Sequence, residues 1–258
     1  MDKLTIVKVG GKIVEEENTL KQLLADFKNI SGNKILVHGG GRSATAMADR
    51  LGLETKMVDG RRITDKAMLD VVTMVYGGLV NKNIVAGLQA LGCNAVGFTG
   101  ADMDIIRSVK RPVKEIDYGY VGDVIDVNTR ELSMLMEQGV TPVMAPLTHD
   151  GKGLMLNTNA DTIASELATA LSQRYKVYLI YCFEKDGVLA NPDDDTSVIY
   201  ELDSPLYQQY KAEGTIGAGM IPKLDNAFRA LNNGVTEVLI TNANNLTRPS
   251  AKGTVIRK

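Results

Sequence analysis

Leu4-Thr5-Ile6-Val7-Lys8-Val9-Gly10-Gly11-Lys12 lies near the start of the chain, and Ile35-Leu36-Val37-His38-Gly39-Gly40-Gly41 repeats its plan. Each is a short apolar run of β-forming residues that ends in glycines and leads into a helical pattern. Bare glycines there let the backbone close on an anion, and a helix N-terminus adds partial positive charge. Lys8, near the end of a strand that reads as buried, is costly unless something negative meets it. Strand, glycine turn and helix, twice in succession, predict an α/β fold that grips phosphate. Neither cluster has Walker spacing or the Gly-x-Gly-x-x-Gly of a dinucleotide site, so the weight rests on there being two.

Outward from these turns the alternation continues. Residues 15–29 form an amphipathic helix with Leu20, Leu23, Leu24 and Phe27 on one side. Residues 43–51 form a short helix that Ser43 or a neighbour could cap. Gly60-Arg61-Arg62-Ile63-Thr64 reads as a loop. Residues 65–91 form a helix too long to bury against one sheet, so part of it is expected to face a partner subunit. Residues 94–98 return as a strand. Between 102 and 127 the pattern changes to hairpins, read as a β-flap over the substrate end. A helix at 129–138, a strand at 140–145 and a helix at 160–171 follow. The second half continues with strands at 176–181 and 235–241, a helix at 223–233, and the closing Gly253-Thr254-Val255-Ile256. Alternation at both ends predicts a mostly parallel, helix-covered sheet, one domain over residues 1–258 with two lobes sharing that sheet.

Composition narrows the function. Twenty-nine Lys+Arg against 31 Asp+Glu leave a net charge of −2, so no basic field draws nucleic acid. Aromatic residues are 5% with no tryptophan, which weakens base stacking further. Cys93 and Cys182 lack metal-ligand spacing and read as free thiols in a reducing compartment. No signal peptide and no apolar run of membrane-spanning length are read, so a cytoplasmic protein with no membrane partner is expected.

Two further stretches carry chemistry. Asn157-Thr158-Asn159-Ala160-Asp161 opens a helix. Asn157 or Asn159 can cap it and Asp161 suits its dipole; alternatively the amides face a substrate while Asp161 turns toward the lysines. Lys223, after Gly214-Thr215-Ile216-Gly217-Ala218-Gly219-Met220-Ile221-Pro222, falls in a helix's first turn, the wrong end for a cation unless an anion arrives. His38 reads as a structural hydrogen-bonding residue and His149 as solvated in a polar loop. Asp193-Asp194-Asp195, after Asn191-Pro192, reads as an exposed turn, and no metal site is expected.

Lys8-Val9-Gly10-Gly11, Val37-His38-Gly39-Gly40-Gly41, Gly60-Arg61-Arg62-Ile63-Thr64, Asn157-Thr158-Asn159-Ala160-Asp161 and Met220-Ile221-Pro222-Lys223 together resemble the amino-acid kinase family. Asp117-Tyr118-Gly119-Tyr120-Val121-Gly122-Asp123-Val124 resembles its flap, and Gly253-Thr254 its C-terminal turn. The resemblance covers nearly the whole chain in order and is strongest to the branch acting on N-acetyl-L-glutamate. It implies a three-layer αβα sandwich, with residues 1–172 as the acceptor lobe and residues 173–258 as the nucleotide lobe. The implied reaction moves the γ-phosphoryl of ATP, carried with Mg²⁺, onto the side-chain carboxylate of N-acetyl-L-glutamate, in arginine biosynthesis. N-succinyl-L-glutamate, or an aminoadipate-type or uridylate kinase reaction, is the alternative.

By the same resemblance, Lys8 meets the phosphoryl oxygens on the acceptor side, Lys223 meets charge on the ADP side, and Asp161 orients both. Gly11 and Gly40 offer amide N–H groups, while Gly10, Gly39 and Gly41 shape the loops. Arg62 holds the α-carboxylate, helped by Asn157 and Asn159. Glu184, Gly187, Gly217 and Met220 are the expected nucleotide-side residues. There the family's Ser/Thr-Asp pair is replaced by Phe183-Glu184-Lys185-Asp186. Arginine-inhibited relatives carry an added N-terminal helix; a homodimer without that feedback, joined through residues 65–91, is expected here.

Overall fold

Strand and helix alternate as read in the computed structural model, which describes residues 1–58, 60–217, 219–246 and 253–258. β1 (Lys3–Val9) leads to α1 (Gly11–Glu15) and α2 (Glu17–Lys28), and β2 (Asn33–His38) leads to α3 (Gly41–Arg50). The hairpin β3 (Met57–Val58) and β4 (Arg61–Arg62) precedes α4 (Lys66–Val72), a π-helical stretch (Thr73–Val80) and α5 (Asn81–Ala90). β5 (Ala95–Phe98), β6 (Ile106–Lys110), β7 (Gly122–Val127) and α6 (Thr129–Glu137) follow. Then come β8 (Thr141–Met144), β9 (Leu147–His149), β10 (Met155–Asn157) and α7 (Ala160–Leu171). The second half holds β11 (Lys176–Phe183), β12 (Val188–Leu189), β13 (Val198–Ile199) and β14 (Glu201–Leu202). It closes with α8 (Ser204–Glu213), α9 (Ile221–Asn232), β15 (Glu237–Asn242) and β16 (Thr254–Ile256).

Eight strands form the central sheet in the order β14-β16-β15-β11-β1-β2-β8-β5. Among the described residues, only its pairing of β15 with β16 is antiparallel. Helices cover both faces, giving the expected three layers. One core packs α6, α7, α8 and α9 on the sheet; the other packs α2 through α5. The central strand is therefore mostly apolar, with Thr5 and Lys8 as its buried polar exceptions: Leu4, Ile6, Val7 and Val9 are fully buried, each worth roughly 1.5–3 kcal/mol. A second sheet, β10-β9-β6-β7, forms the flap, with β6 and β7 antiparallel. β1 leads to β2 on one side and has β11 on the other, so a crevice opens at their carboxyl ends.

Three local readings are corrected, and one helix is added. The stretch at 60–64 is no simple loop, because Arg61–Arg62 pairs with Met57–Val58 as a hairpin. Ser43 caps nothing: α3 starts at Gly41 with Gly40 before it, and the Ser43 hydroxyl instead donates to Glu15. The helix Lys66–Ala90 does reach membrane-spanning length, 25 residues at a hydropathy of 1.3. It packs as a core helix nonetheless, placing Val71, Val72, Val75, Ile84 and Leu88 in the interior. α8 went unread, although it starts with Asp203, whose side chain accepts from the Leu206 N–H, and stops at Gly214 in the left-handed region.

Candidate active site

Three charged groups meet at the crevice. Lys8, at the carboxyl end of β1, places Nζ 2.8 Å from Asp161 Oδ1. Lys223, in the first turn of α9, places Nζ 3.0 Å from both Asp161 oxygens. These side chains are only 10%, 11% and 18% exposed for Lys8, Lys223 and Asp161. Burial would raise the Asp161 carboxyl, yet the two ammonium groups hold it well below the usual carboxylate range. Burial, and then the charge of Lys8, push Lys223 below the ordinary lysine value, while Asp161 opposes them. One acid between two cations leaves a net positive charge in a nearly dry place, which an arriving anion relieves.

Tyr181, which the sequence reading missed, sits beneath this group. Its hydroxyl donates to the Asp161 carbonyl at 3.2 Å, and its ring centroid lies 5.2 Å from Lys223 Nζ. It stands opposite Lys8 in the β1–β11 register. β11 runs Lys176-Val177-Tyr178-Leu179-Ile180-Tyr181-Cys182-Phe183, and nothing in that run sets Tyr181 apart from Tyr178.

The glycine turns come together beside the triad. Gly10 N–H donates to Cys182 C=O at 3.2 Å, and Gly39 N–H to Val9 C=O at 3.1 Å. A Cβ on Gly11 would lie 3.6 Å from the amide nitrogens of Gly40 and Gly41. A Cβ on Gly40 would lie 2.9 Å from the Tyr76 ring, so the bare backbone is a packing requirement there. Tyr76 belongs to the π-helical stretch, a departure that often accompanies functional sites. The Glu15 carboxylate accepts from the Ser43 N–H at 2.7 Å, while among the described residues no side chain caps the N–H groups of Gly41 and Arg42, which are left available to an anion.

Next to the triad lies a cavity of about 200 Å³, bordered by Gly40, Arg62, Arg111, Asn157 and Asn159. Arg62 is 8% exposed; its Nη2 donates to Gly41 C=O and to Thr45 Oγ1, both at 2.8 Å. Asn159 is the cap of α7, its Oδ1 accepting from the N–H groups of Asp161 and Thr162. Asn157 Nδ2 donates to Thr64 Oγ1 at 3.0 Å. The capping and cavity-facing readings of this motif thus hold together: Asn159 caps and both asparagines line the cavity.

The nucleotide-side residues do not gather in the same way. Glu184 pairs with Lys12 at 3.2 Å and borders a neighbouring cavity of about 610 Å³ with Gly11, Gly41 and Arg42. Gly187 is bare because a Cβ would lie 2.6 Å from Thr254 Oγ1. Gly217 accepts from the Met220 N–H at 2.8 Å just before α9, and Met220 packs against the core. The expected set therefore divides between one cavity wall, one packing contact and one turn.

Both histidines have partners. His38 is fully buried: Nδ1–H donates to Gly39 C=O, and Nε2 accepts from Asn81 Nδ2. Burial pushes its pKa down to about 4, so it is a neutral structural residue, as read. His149 is not the solvated loop residue expected; it lies on β9, with Nε2 2.8 Å from Asp104 Oδ1. Both cysteines are buried and free, and burial pushes the Cys182 thiol up to about 12, leaving it unreactive. Among the described residues, no three or more His, Cys, Asp or Glu side chains are grouped to hold a metal.

A crevice at a parallel-sheet switch point, with two lysines on one acid beside two glycine turns, defines a phosphotransferase site. The chain belongs to the amino acid kinase family, whose model matches residues 3–242. The acetylglutamate kinase of Bacteroides thetaiotaomicron is 65% identical over 257 residues, covering 100% of this chain and 99% of that protein. The crystal structure of smu.665 from Streptococcus mutans UA159 superposes with a TM-score of 0.80 at 29% identity, covering 98% of each chain. The carbamate kinase from Giardia lamblia bound to AMP-PNP shares the fold, with a TM-score of 0.75 at 14% identity, covering 100% of this chain and 99% of that one.

Proposed function

We propose that this chain transfers the γ-phosphoryl group of ATP to the side-chain carboxylate of N-acetyl-L-glutamate, forming an acyl phosphate. The Lys8–Asp161–Lys223 group beside the two glycine turns carries this reading. The 65% identity to a protein named acetylglutamate kinase supports that acceptor over the succinyl, aminoadipate-type or uridylate alternatives.

The chemistry accounts for the kind of residues present. An acceptor carboxylate is already ionised at neutral pH, so no general base is needed to make it a nucleophile. The difficulty is to bring two anions together and to stabilise charge spread over the phosphoryl in transit. Lys8 neutralises the phosphoryl oxygens on the acceptor side and Lys223 the growing charge on ADP. Asp161 fixes both ammonium groups, and the amides of Gly11 and Gly40 donate to the phosphoryl. Arg62 holds the α-carboxylate, with Asn157 and Asn159 completing that wall. ATP enters as its Mg²⁺ complex, the ion being carried on its phosphates. Residues 1–172 serve the acceptor and residues 173–258 the nucleotide, with Glu184, Gly187, Gly217 and Met220 on the nucleotide side.

The enzyme works in the cytoplasm, in a biosynthetic route to arginine, as a homodimer joined through the helix Lys66–Ala90. That helix leaves Met74 and Leu79 at least half exposed, apolar surface that a second copy would cover. A coupled ADP-release assay over N-acetylglutamate, N-succinylglutamate, aspartate and UMP tests the reaction. Turnover is expected with N-acetylglutamate; strong ATP binding without ADP release for any acceptor would overturn it.

A further inference from the structure

Arg111 follows β6 directly and borders the cavity that holds Arg62, Asn157 and Asn159. Its guanidinium is fixed on two sides. Nε and Nη2 donate to Asp123 Oδ1 at 3.0 and 2.6 Å, and Cζ lies 5.4 Å from the Tyr118 ring centroid. Its own backbone N–H donates to Val121 C=O at 2.8 Å, anchoring the residue to the flap. Nη1 is screened from solvent and has no hydrogen-bond partner among the described residues. A buried donor left unmade is costly, and native structures rarely keep one without a use.

The assigned roles leave this donor over. In the proposed reaction, Arg62 takes the α-carboxylate, and the lysines with the glycine amides take the reacting end. One part of an N-acylated glutamate then has no reader, its acyl substituent. We propose that Arg111 reads that substituent, its Nη1–H donating to an oxygen of the acyl group. This rests on the reaction proposed above and names the residue that separates acylated from bare acceptors. Asp123 already balances the positive charge, so Arg111 offers a directed donor more than a free cation. The acceptor oxygen is the amide carbonyl or, on a dicarboxylic acyl group, the distal carboxylate. A site built to hydrogen-bond a group discriminates strongly against analogues lacking it, because its own donor is then left unpaired.

The test compares wild type with Arg111→Gln and Arg111→Lys, each checked for an unchanged thermal midpoint. The lysine variant keeps a cation beside Asp123 and loses the fork, so it serves if the glutamine variant does not fold. Three compounds probe the site: N-acetylglutamate, N-succinylglutamate and glutarate, which keeps both carboxylates and lacks the acylamino group. We expect KM for acylated acceptors to rise about tenfold or more with kcat within about threefold, the split of lost ground-state binding. The Ki of glutarate as a competitive inhibitor is expected to stay within about twofold, since it offers Arg111 nothing to lose. Equal losses for the two acylated acceptors assign the carbonyl oxygen, and a larger loss for the succinyl compound assigns the distal carboxylate. Unchanged KM in the folded variants, or an equal loss for glutarate, overturns the proposal. A wild-type enzyme that phosphorylates no N-acylated glutamate overturns the reaction and this inference together; variants matching an active wild type overturn this inference alone.

Discussion

The two sides of the crevice are built on different principles. On the proposed acceptor side, the side chains of Arg62, Asn157 and Asn159 border one cavity, beside two lysines joined at Asp161. On the proposed nucleotide side, Gly187 lies against Thr254 and Gly217 in a turn before α9, while Glu184 makes an exposed pair with Lys12. An acceptor is told from its analogues by a few directed groups, so each group is irreplaceable. A nucleotide surface made from backbone and shape spreads its contribution thinly. Substitutions on the two sides should therefore differ in kind as well as size.

The charged triad spans the contrast and should show the largest effect. Lys8→Ala, Asp161→Ala and Lys223→Ala are each expected to lower kcat by at least ~100-fold, the scale of losing a preorganised transition-state donor. Single-turnover kinetics at saturating ATP and acceptor measure this directly. Near-normal turnover in either lysine variant would remove the role assigned to it. Because Lys8 depresses Lys223, the Lys8→Ala variant should also carry a Lys223 that is easier to keep protonated.

Much of the acceptor side was legible because its residues obey local rules with few exceptions. A lysine in a buried strand requires a carboxylate, and the first turn of α7 supplies one to Lys8 through Asp161. An Asn before a helix either caps or binds, and Asn159 caps while lining the cavity. Tyr181 and Arg111 were missed because their placement depends on register and on the flap's fold. Nothing within a few residues of either marks it. The expected nucleotide-side residues are set by distant contacts in the same way: Gly187 is bare because of Thr254, which lies in β16. The π-helical stretch was hidden as well, since a helical apolar pattern does not register one widened turn.

His38 sharpens the contrast through pH. It stands directly behind the acceptor-side glycines, fully buried and neutral, with a pKa pushed down to about 4 from 6.5. Between those values the unfolded chain binds a proton that the folded chain does not, so stability rises with pH across that window. It is fully present above about 6.5 and falls as pH drops toward 4. Between pH 6.5 and 5 the loss is about 1.6 kcal/mol, the slope reaching about 1.36 kcal/mol per pH unit only once the unfolded histidine is mostly protonated. Urea midpoints at these pH values check this, and His38→Gln should flatten the dependence. An equal slope in that variant would place the acid sensitivity elsewhere.

Arg62→Ala should raise KM for the acceptor about tenfold or more, with a smaller change in kcat, as expected for lost charge-assisted binding. The KM for ATP should stay near the wild-type value. If both constants rise together, the division between the two sides fails, since Arg62 would then be holding the crevice as a whole. Its bonds to Gly41 and Thr45 make that outcome a real alternative for the same experiment.

The smallest effect is expected from Glu184→Gln. Glu184 and Lys12 are 43% and 41% exposed, so their 3.2 Å pair is screened by water and is worth little. If the nucleotide side relies on backbone and shape, KM for ATP should move by less than about threefold, in keeping with an exposed ion pair. Raising the salt concentration should erase even that difference, because water-exposed charges are screened within about 10 Å at 0.1 M. A tenfold rise that persists in high salt would show the opposite design, with Glu184 acting as a directed nucleotide ligand. The acceptor and nucleotide sides would then both be read by individual side chains, and the contrast between them would lie only in how visible those side chains are.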